Sequence, residues 1–147
     1  MNNDFTIAIG SDHAGFELKV KVIQVLENQG FKIEDKGCYS EDSVDYPDFG
    51  HAVAEAVTSN DATRGIVICG SGNGINMSVN KHQDVRSALC WDVPLAALAV
   101  QHNNANVLAL PARFIEESVA LACVEAFLTE SFEGGRHERR VNKINCA

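Results

Sequence analysis

Gly65-Ile66-Val67-Ile68-Cys69 runs straight into Gly70-Ser71-Gly72-Asn73-Gly74, and the reading of this junction decides the fold. An unbroken apolar run closed by a glycine-rich turn describes a buried strand that delivers its last side chain to a loop. If a helix follows, the loop amides and the helix N-terminus direct partial positive charge at whatever lies above them. A thiol at Cys69 would then ionise more readily than a free one, whose pKa is about 8.5. The competing reading is a core cysteine, since free thiols are among the most buried side chains.

Outward from this junction, extended and helical patterns alternate. The spacing predicts a strand over residues 5–10, then a helix over 14–29 closed by Gly30 as a C-cap. A short strand over 31–35 leads into a polar loop over 36–47, followed by a helix over 48–59 rich in alanine and valine. After Cys69 the pattern predicts a helix over 73–81, a strand over 85–90, a helix over 94–102 and a strand over 105–110. A strong helix over 115–128 is separated by Gly134-Gly135 from a short basic helix that begins at about residue 135.

Strands alternating with helices imply an α/β fold, a parallel sheet covered by helices on both faces. Five strands suit a doubly wound arrangement in the order 2-1-3-4-5. Ligands of such sheets bind beyond the carboxyl ends of the strands, at the switch point between strands one and three. Two polar motifs should flank that point, Ser11-Asp12-His13 and the glycine loop after Cys69. No repeat or linker divides the chain, so residues 1–147 read as one domain.

Bulk properties narrow the function. At 147 residues, with 46 % apolar and 22 % charged content, the chain is long enough to bury a substantial core. The net charge of −8 argues against general nucleic-acid binding, and no apolar stretch approaches a membrane span. Cys38, Cys69, Cys90, Cys123 and Cys146 lack disulfide-like or metal-like spacing and read as reduced thiols, which points to the cytoplasm.

Several groups could carry chemistry. Asp12 and His13 open the first helix, where Ser11 or Asp12 could equally be a cap. His102 ends the fourth helix, a place that the helix dipole alone can explain. That segment leads into strand five, whose carboxyl end should face the ligand. Arg136 and Arg140 stand four residues apart, so they share a helix face and can converge on one anion, with Arg113 as a third cation. A solvated basic face is the alternative.

Other phosphate motifs fail. No Gly-Lys-Ser/Thr closes a Walker loop, and Ile75 stands where a cysteine phosphatase would place arginine. Gly70-x-Gly72-x-Gly74 with Asp92 leaves a nucleotide-binding domain open as a weaker, non-catalytic reading.

Taken together, Ser11 to Gly15, Asp45-Tyr46-Pro47, Cys69 to Gly74, Asn80-Lys81, Gln101-His102-Asn103, Asn106-Val107, Arg113, and Glu133 to His137 with Arg140 resemble the ribose-5-phosphate isomerase B family. That family also contains galactose-6-phosphate isomerase subunits. The resemblance runs in order from residue 11 to 140. It implies metal-free, cofactor-free interconversion of an aldose phosphate and a ketose phosphate through an enediolate. The working unit it implies is a homodimer with shared active sites, or a tetramer built from it.

Carried over to this chain, Cys69 would be the base moving a proton between C1 and C2, and His102 would open the furanose ring with Asp12 nearby. Ser71 would shuttle a proton between O1 and O2, while amides of Gly70, Gly72, Asn73 and Gly74 hold the enediolate. Arg113, Arg136 and Arg140 would grip the phosphate with His13 and His137, and Tyr46 and Asn103 would line the sugar. Some members use a glutamate later in the loop instead of the cysteine, but Ile75-Asn76-Met77 offers no carboxylate. The stretch 75–88 also resembles the galactose-6-phosphate isomerase subunits. Cys69, His102, Arg136 and Arg140 occurring in one chain favour a self-sufficient homodimer acting on ribose 5-phosphate, with a hexose 6-phosphate (allose or galactose) as the alternative.

Overall fold

Three strands carry apolar side chains on both faces and form the middle of the sheet. A computed structural model describes residues 3–146. In chain order it contains β1 (Thr6–Ser11), a 3-10 turn (His13–Gly15), α1 (Phe16–Asn28), β2 (Lys32–Asp35), α2 (Tyr46–Thr58) and β3 (Arg64–Cys69). There follow α3 (Asn73–Val79), β4 (Ser87–Leu89), α4 (Val93–Asn103), β5 (Val107–Pro111), α5 (Glu117–Thr129) and α6 (Arg136–Val141).

All strand pairs are parallel, and the order is β2-β1-β3-β5-β4. The α/β class and the five covered strands match the sequence reading, but the last two strands are exchanged relative to the expected order 2-1-3-4-5. Burial explains the exchange. Val107–Pro111 is buried at every position and takes the place beside β3, whereas Ser87–Leu89 is half-buried throughout and lies at the edge. The opposite edge is β2, whose Lys32, Glu34 and Asp35 suit an edge strand.

The direction of each crossover decides which face its helix covers, because parallel connections are right-handed. The steps β1 to β2 and β4 to β5 run one way across the sheet; β2 to β3 and β3 to β4 run the other way. Accordingly Val22 and Leu26 of α1 and Ala96 and Val100 of α4 join Phe127 of α5 over Ile9, Ile66 and Leu108. Val53 and Val57 of α2 and Ile75 and Val79 of α3 pack with Ala8, Val67, Cys69 and Ala109 on the other face.

One consequence governs the site. Every strand ends at one edge of the sheet, and every crossover helix carries the chain back to the other. Segments that follow a strand thus lie at the carboxyl edge, and segments that follow α1 to α4 lie at the amino edge. Lys19, 1 % exposed, fixes α1 to the end of β2 through Asp35 Oδ1 at 2.6 Å. The same oxygen accepts from the Gly37 amide at 2.9 Å.

Candidate active site

The carboxyl edge gathers Asp12, His13, Tyr46, Cys69, Ser71 and Arg113. Cys69 ends β3, buried with 5 % of its surface exposed and packed on the α2/α3 face. Its carbonyl accepts from the Ala112 amide at 2.9 Å, and the Gly70 carbonyl accepts from the Arg113 amide at 2.9 Å. These bonds tie the loop after β5 to the loop after β3. The Arg113 side chain lies across the glycine loop: a Cβ built on Gly70 would sit 3.3 Å from Arg113 Nη1.

The glycines are there for space and conformation. Gly72 has φ +74°, and a Cβ on it would meet Leu89 at 2.5 Å. A Cβ on Gly74 would meet the Tyr46 ring at 2.5 Å. The Tyr46 ring therefore lies directly over the loop, as a residue lining its ligand would. It sits in the first turn of α2, which begins two residues earlier than expected, with Pro47 tolerated there because its missing N–H is not needed.

Asp12 and His13 approach from β1. The Asp12 amide donates to the Ile68 carbonyl at 3.2 Å, and its carboxylate accepts from the Gly15 amide at 3.1 Å. It thus acts as the cap foreseen in the sequence while standing beside the end of β3. His13 Nδ1 accepts from the Val44 amide at 3.2 Å, which leaves Nε2 as the protonated, donating nitrogen. Ser71 Oγ accepts from the Asn73 amide at 3.3 Å, so one of the loop amides is already taken. The following helix, α3, has seven residues. Its dipole is correspondingly small, and the loop amides carry most of the positive pole.

His102, Asn103, Arg136, His137 and Arg140 form a second group elsewhere. His102 lies in the last turn of α4, and α4 precedes β5; this group therefore sits at the amino edge. Neighbouring bonds agree: Gly65, at the start of β3, donates to the Asn106 carbonyl at 2.9 Å, and Arg86 Nε donates to the Asn104 carbonyl at 2.8 Å. The sequence reading placed His102 on the ligand side because its segment enters β5. That segment meets the amino end of β5, not its carboxyl end.

The second group has its own order. The His102 and His137 rings stack with centroids 4.1 Å apart and planes 13° apart. Glu133 Oε1 stands 3.7 Å from His102 Nε2 and 3.9 Å from His137 Nε2. Burial, then the nearby His102 and Arg136, hold the His137 imidazole below the ordinary histidine range, with Arg140 adding to the effect and Glu133 opposing it. The ring thus sits between the Arg136 and Arg140 charges and the Glu133 carboxylate. Glu133 was visible in the sequence only as part of the Glu133-Gly134-Gly135-Arg136-His137 run. Its spacing of four from His137 was the signal that could have singled it out.

One chain therefore presents a thiol, a glycine loop and one arginine at one edge, and two histidines with two arginines at the other. A groove of about 530 Å³ on the carboxyl side is lined by Ala14, Phe16, Lys21, Glu41, Ala112 and Ile115. Its walls do not include Cys69.

A thiol at the end of β3, a glycine loop and an arginine across that loop thus meet at the switch point of a doubly wound sheet, where ligands of such sheets bind. A family model described as Ribose/Galactose Isomerase matches residues 7–144, and the chain belongs to that family. It is 49 % identical to the ribose 5-phosphate isomerase of Thermotoga maritima, whose crystal structure matches with a TM-score of 0.94 over 96 % of this chain and 97 % of that one. The structure of ribose-5-phosphate isomerase B from Mycoplasma genitalium with bound ribulose-5-phosphate is 45 % identical, with a TM-score of 0.93 over 97 % and 95 % of the two chains. Ribose-5-phosphate isomerase B of Escherichia coli (strain K12) is 41 % identical over 140 residues, 95 % of this chain and 94 % of that protein. Among the described residues no helix is long and apolar enough to cross a membrane.

Proposed function

We propose that this sugar phosphate isomerase interconverts ribose 5-phosphate and ribulose 5-phosphate, and that it does so as a homodimer whose sites combine the carboxyl edge of one chain with the amino edge of its partner. The observation that carries the reading is the meeting of Cys69, Gly70 to Gly74, Tyr46 and Arg113 at one strand end in a chain of this family. The bound ribulose-5-phosphate of the Mycoplasma genitalium relative supports the choice of sugar.

In this reading His102 moves the proton that opens the furanose ring, with Asp12 nearby. The Cys69 thiolate takes the C2 proton of the open aldose. The electron pair of that C–H bond forms the C1–C2 double bond, and the carbonyl electrons move to O1. Amides of Gly70, Gly72 and Gly74 hold the oxyanion, an effect worth about 2.7–4 kcal/mol for one donor in hydrolases. Ser71 passes a proton from O2 to O1, and the Cys69 thiol returns its proton to C1 as the C2 carbonyl forms. Arg113, Arg136 and Arg140, helped by His13 and His137, hold a phosphate that does not react, so they act by positioning. Tyr46 and Asn103 line the sugar.

The dimer is supported by α4, which is apolar on every side from Val93 to Val100. A helix apolar all round is normally covered all round, yet Leu98 of α4 and nearby Trp91 remain exposed. A twofold contact on this face would bury them.

Purified protein given ribose 5-phosphate in the presence of a chelator should form the ketose. Cys69→Ala should lower kcat by at least about 10²-fold, and near-normal turnover in that variant would reject the thiol as base. The ratio of kcat/KM for ribose, allose and galactose phosphates decides the sugar.

A further inference from the structure

The helix that carries Arg136 and Arg140 is only six residues long, and His137 is the buried one of the six. Isolated helices shorter than about 12–15 residues are marginal in water, so the place of α6 depends on what holds its two ends. Its start is held by the Glu133 amide, which donates to the Gln101 carbonyl at 3.0 Å, and by the His102–His137 stack. Its far end is held by residues that the catalytic reading leaves unused.

The chain turns on after α6, with the Lys143 and Ile144 amides donating to the Arg140 and Val141 carbonyls. Asn145 then meets Asp84 in the loop before β4. Asn145 Oδ1 accepts from the Asp84 amide at 3.0 Å, and Asn145 Nδ2 donates to Asp84 Oδ1 at 2.5 Å. Gln83 Nε2 donates to the Cys146 carbonyl at 3.0 Å. Asp84 has φ +68°, a conformation that Asp and Asn adopt more readily than most side chains. In it the amide and the carboxylate of one residue both reach a single carboxamide.

Asp84 is also tied to the end of α4. Its carbonyl accepts from Asn106 Nδ2 at 2.8 Å, and Asn106 Oδ1 accepts from the Arg86 amide at 2.8 Å. Arg86 Nε donates in turn to the carbonyl of Asn104, which caps α4 two residues after His102. The end of α4 and α6 are therefore joined twice, through the ring stack on one side and through Asp84 on the other.

We propose that Asp84 and Asn145 are positioning residues whose reciprocal bonds fix α6 against the end of α4 and so hold Arg136 and Arg140 where the phosphate is bound. This rests on the phosphate role given to those arginines. Both side chains are exposed, so their loss should loosen one short element and leave the core folded.

The pairing makes its own control. Asn145→Asp sets a carboxylate against a carboxylate. Asp84→Asn keeps an acceptor for Asn145 Nδ2 and should behave as wild type. The double variant Asp84→Asn/Asn145→Asp exchanges donor and acceptor and restores the ring of bonds. Three readouts are taken on the full-length protein: calorimetric binding of inorganic phosphate, steady-state kinetics with ribose 5-phosphate, and the rate of trypsin cleavage between residues 136 and 143. Asn145→Asp should weaken phosphate binding and raise KM about threefold or more with kcat unchanged, as expected for lost uniform binding. It should also speed cleavage, and the double variant should return all three to wild-type values. Wild-type phosphate affinity in Asn145→Asp overturns the proposal, whether or not cleavage is faster. So does weakened binding that the double variant fails to restore. If the wild-type protein does not turn over ribose 5-phosphate yet phosphate binding follows this pattern, the choice of sugar falls and the positioning role stands.

Discussion

Mixing two inactive variants should restore activity, and the size of the recovery follows from the topology. Cys69 ends β3, and His102 precedes β5, so the two stand at opposite edges of one sheet. Six residues of β3, at about 3.3 Å each, span roughly 20 Å, more than a five-carbon sugar phosphate can bridge. If each site joins the Cys69 edge of one chain to the His102 edge of its partner, Cys69→Ala and His102→Ala each disable both sites of their own dimer. Each should retain about 1 % of activity or less. In a mixed dimer, one site contains both substitutions and the other contains neither. Random one-to-one reassociation places about half of the chains in mixed dimers, each with one working site of two, so about a quarter of wild-type activity should return. The assay is ketose formation after joint refolding or co-expression under two affinity tags. Recovery no greater than the sum of the parents would refute the shared site. A second arm uses wild type mixed with the double variant Cys69→Ala/His102→Ala. Those mixed dimers should be dead if the sites are shared, and half active if they are not.

Three further outcomes are expected. Gly74→Ala should push the Tyr46 ring from its place, since the added methyl would lie 2.5 Å from it; KM for the sugar phosphate should rise while the fold persists by circular dichroism. Asp35→Ala should cost about 3 kcal/mol by stranding the buried Lys19 ammonium, read as a fall in Tm of about 6–12 °C. Adding Lys19→Met should recover most of that loss. Burial, with Cys123 beside it, pushes the Cys90 thiol up to about 12. A thiol in the unfolded chain ionises near pH 8.5, so above that value the unfolded state loses a proton that the folded state keeps. Stability should therefore fall as pH rises from about 8.5 towards 12 and be unaffected by Cys90 below that window. Cys90→Ala should flatten this alkaline limb in urea melts at stepped pH.

The elements of the fold were legible because most of them carry a strong local pattern. The unbroken apolar runs of β1, β3 and β5 could belong only to strands covered on both faces. The order of the last two strands was not legible in the same way. Residues 85–90 and 105–110 both read as strands, and nothing local says which lies inside. The information was present in Val107 to Pro111 being apolar throughout while Ser87 interrupts the other run, a contrast that matters only once the two compete for the place beside β3. Similarly, Tyr46 fell in a segment whose Pro47 suggested a loop, although proline is at home in a first helical turn.

The candidate site divides along the same line. Cys69 and its glycine cradle were legible as a unit because strand, thiol and turn are contiguous, and Asp12 joins them through a bond to Ile68 that the switch-point rule anticipates. His102, Arg136 and Arg140 were legible as chemistry but not as geography. A residue that ends a crossover helix must lie at the amino edge, however close in sequence it is to the next strand. Once that is applied, a single chain holds the two groups at opposite edges of its sheet, and the proposed site needs both. Arg113 lies above the loop at one edge, and the His102–His137 stack lies with Arg136 and Arg140 at the other. In the proposed dimer, twofold symmetry would supply each half with the other at no cost in new residues. The exposed apolar side chains of α4 and its neighbour Trp91 lie on the half of the sheet where such a contact would form. The proposed dimer would account for both the exposed side chains near α4 and the divided site, and separating it should abolish turnover without unfolding either half.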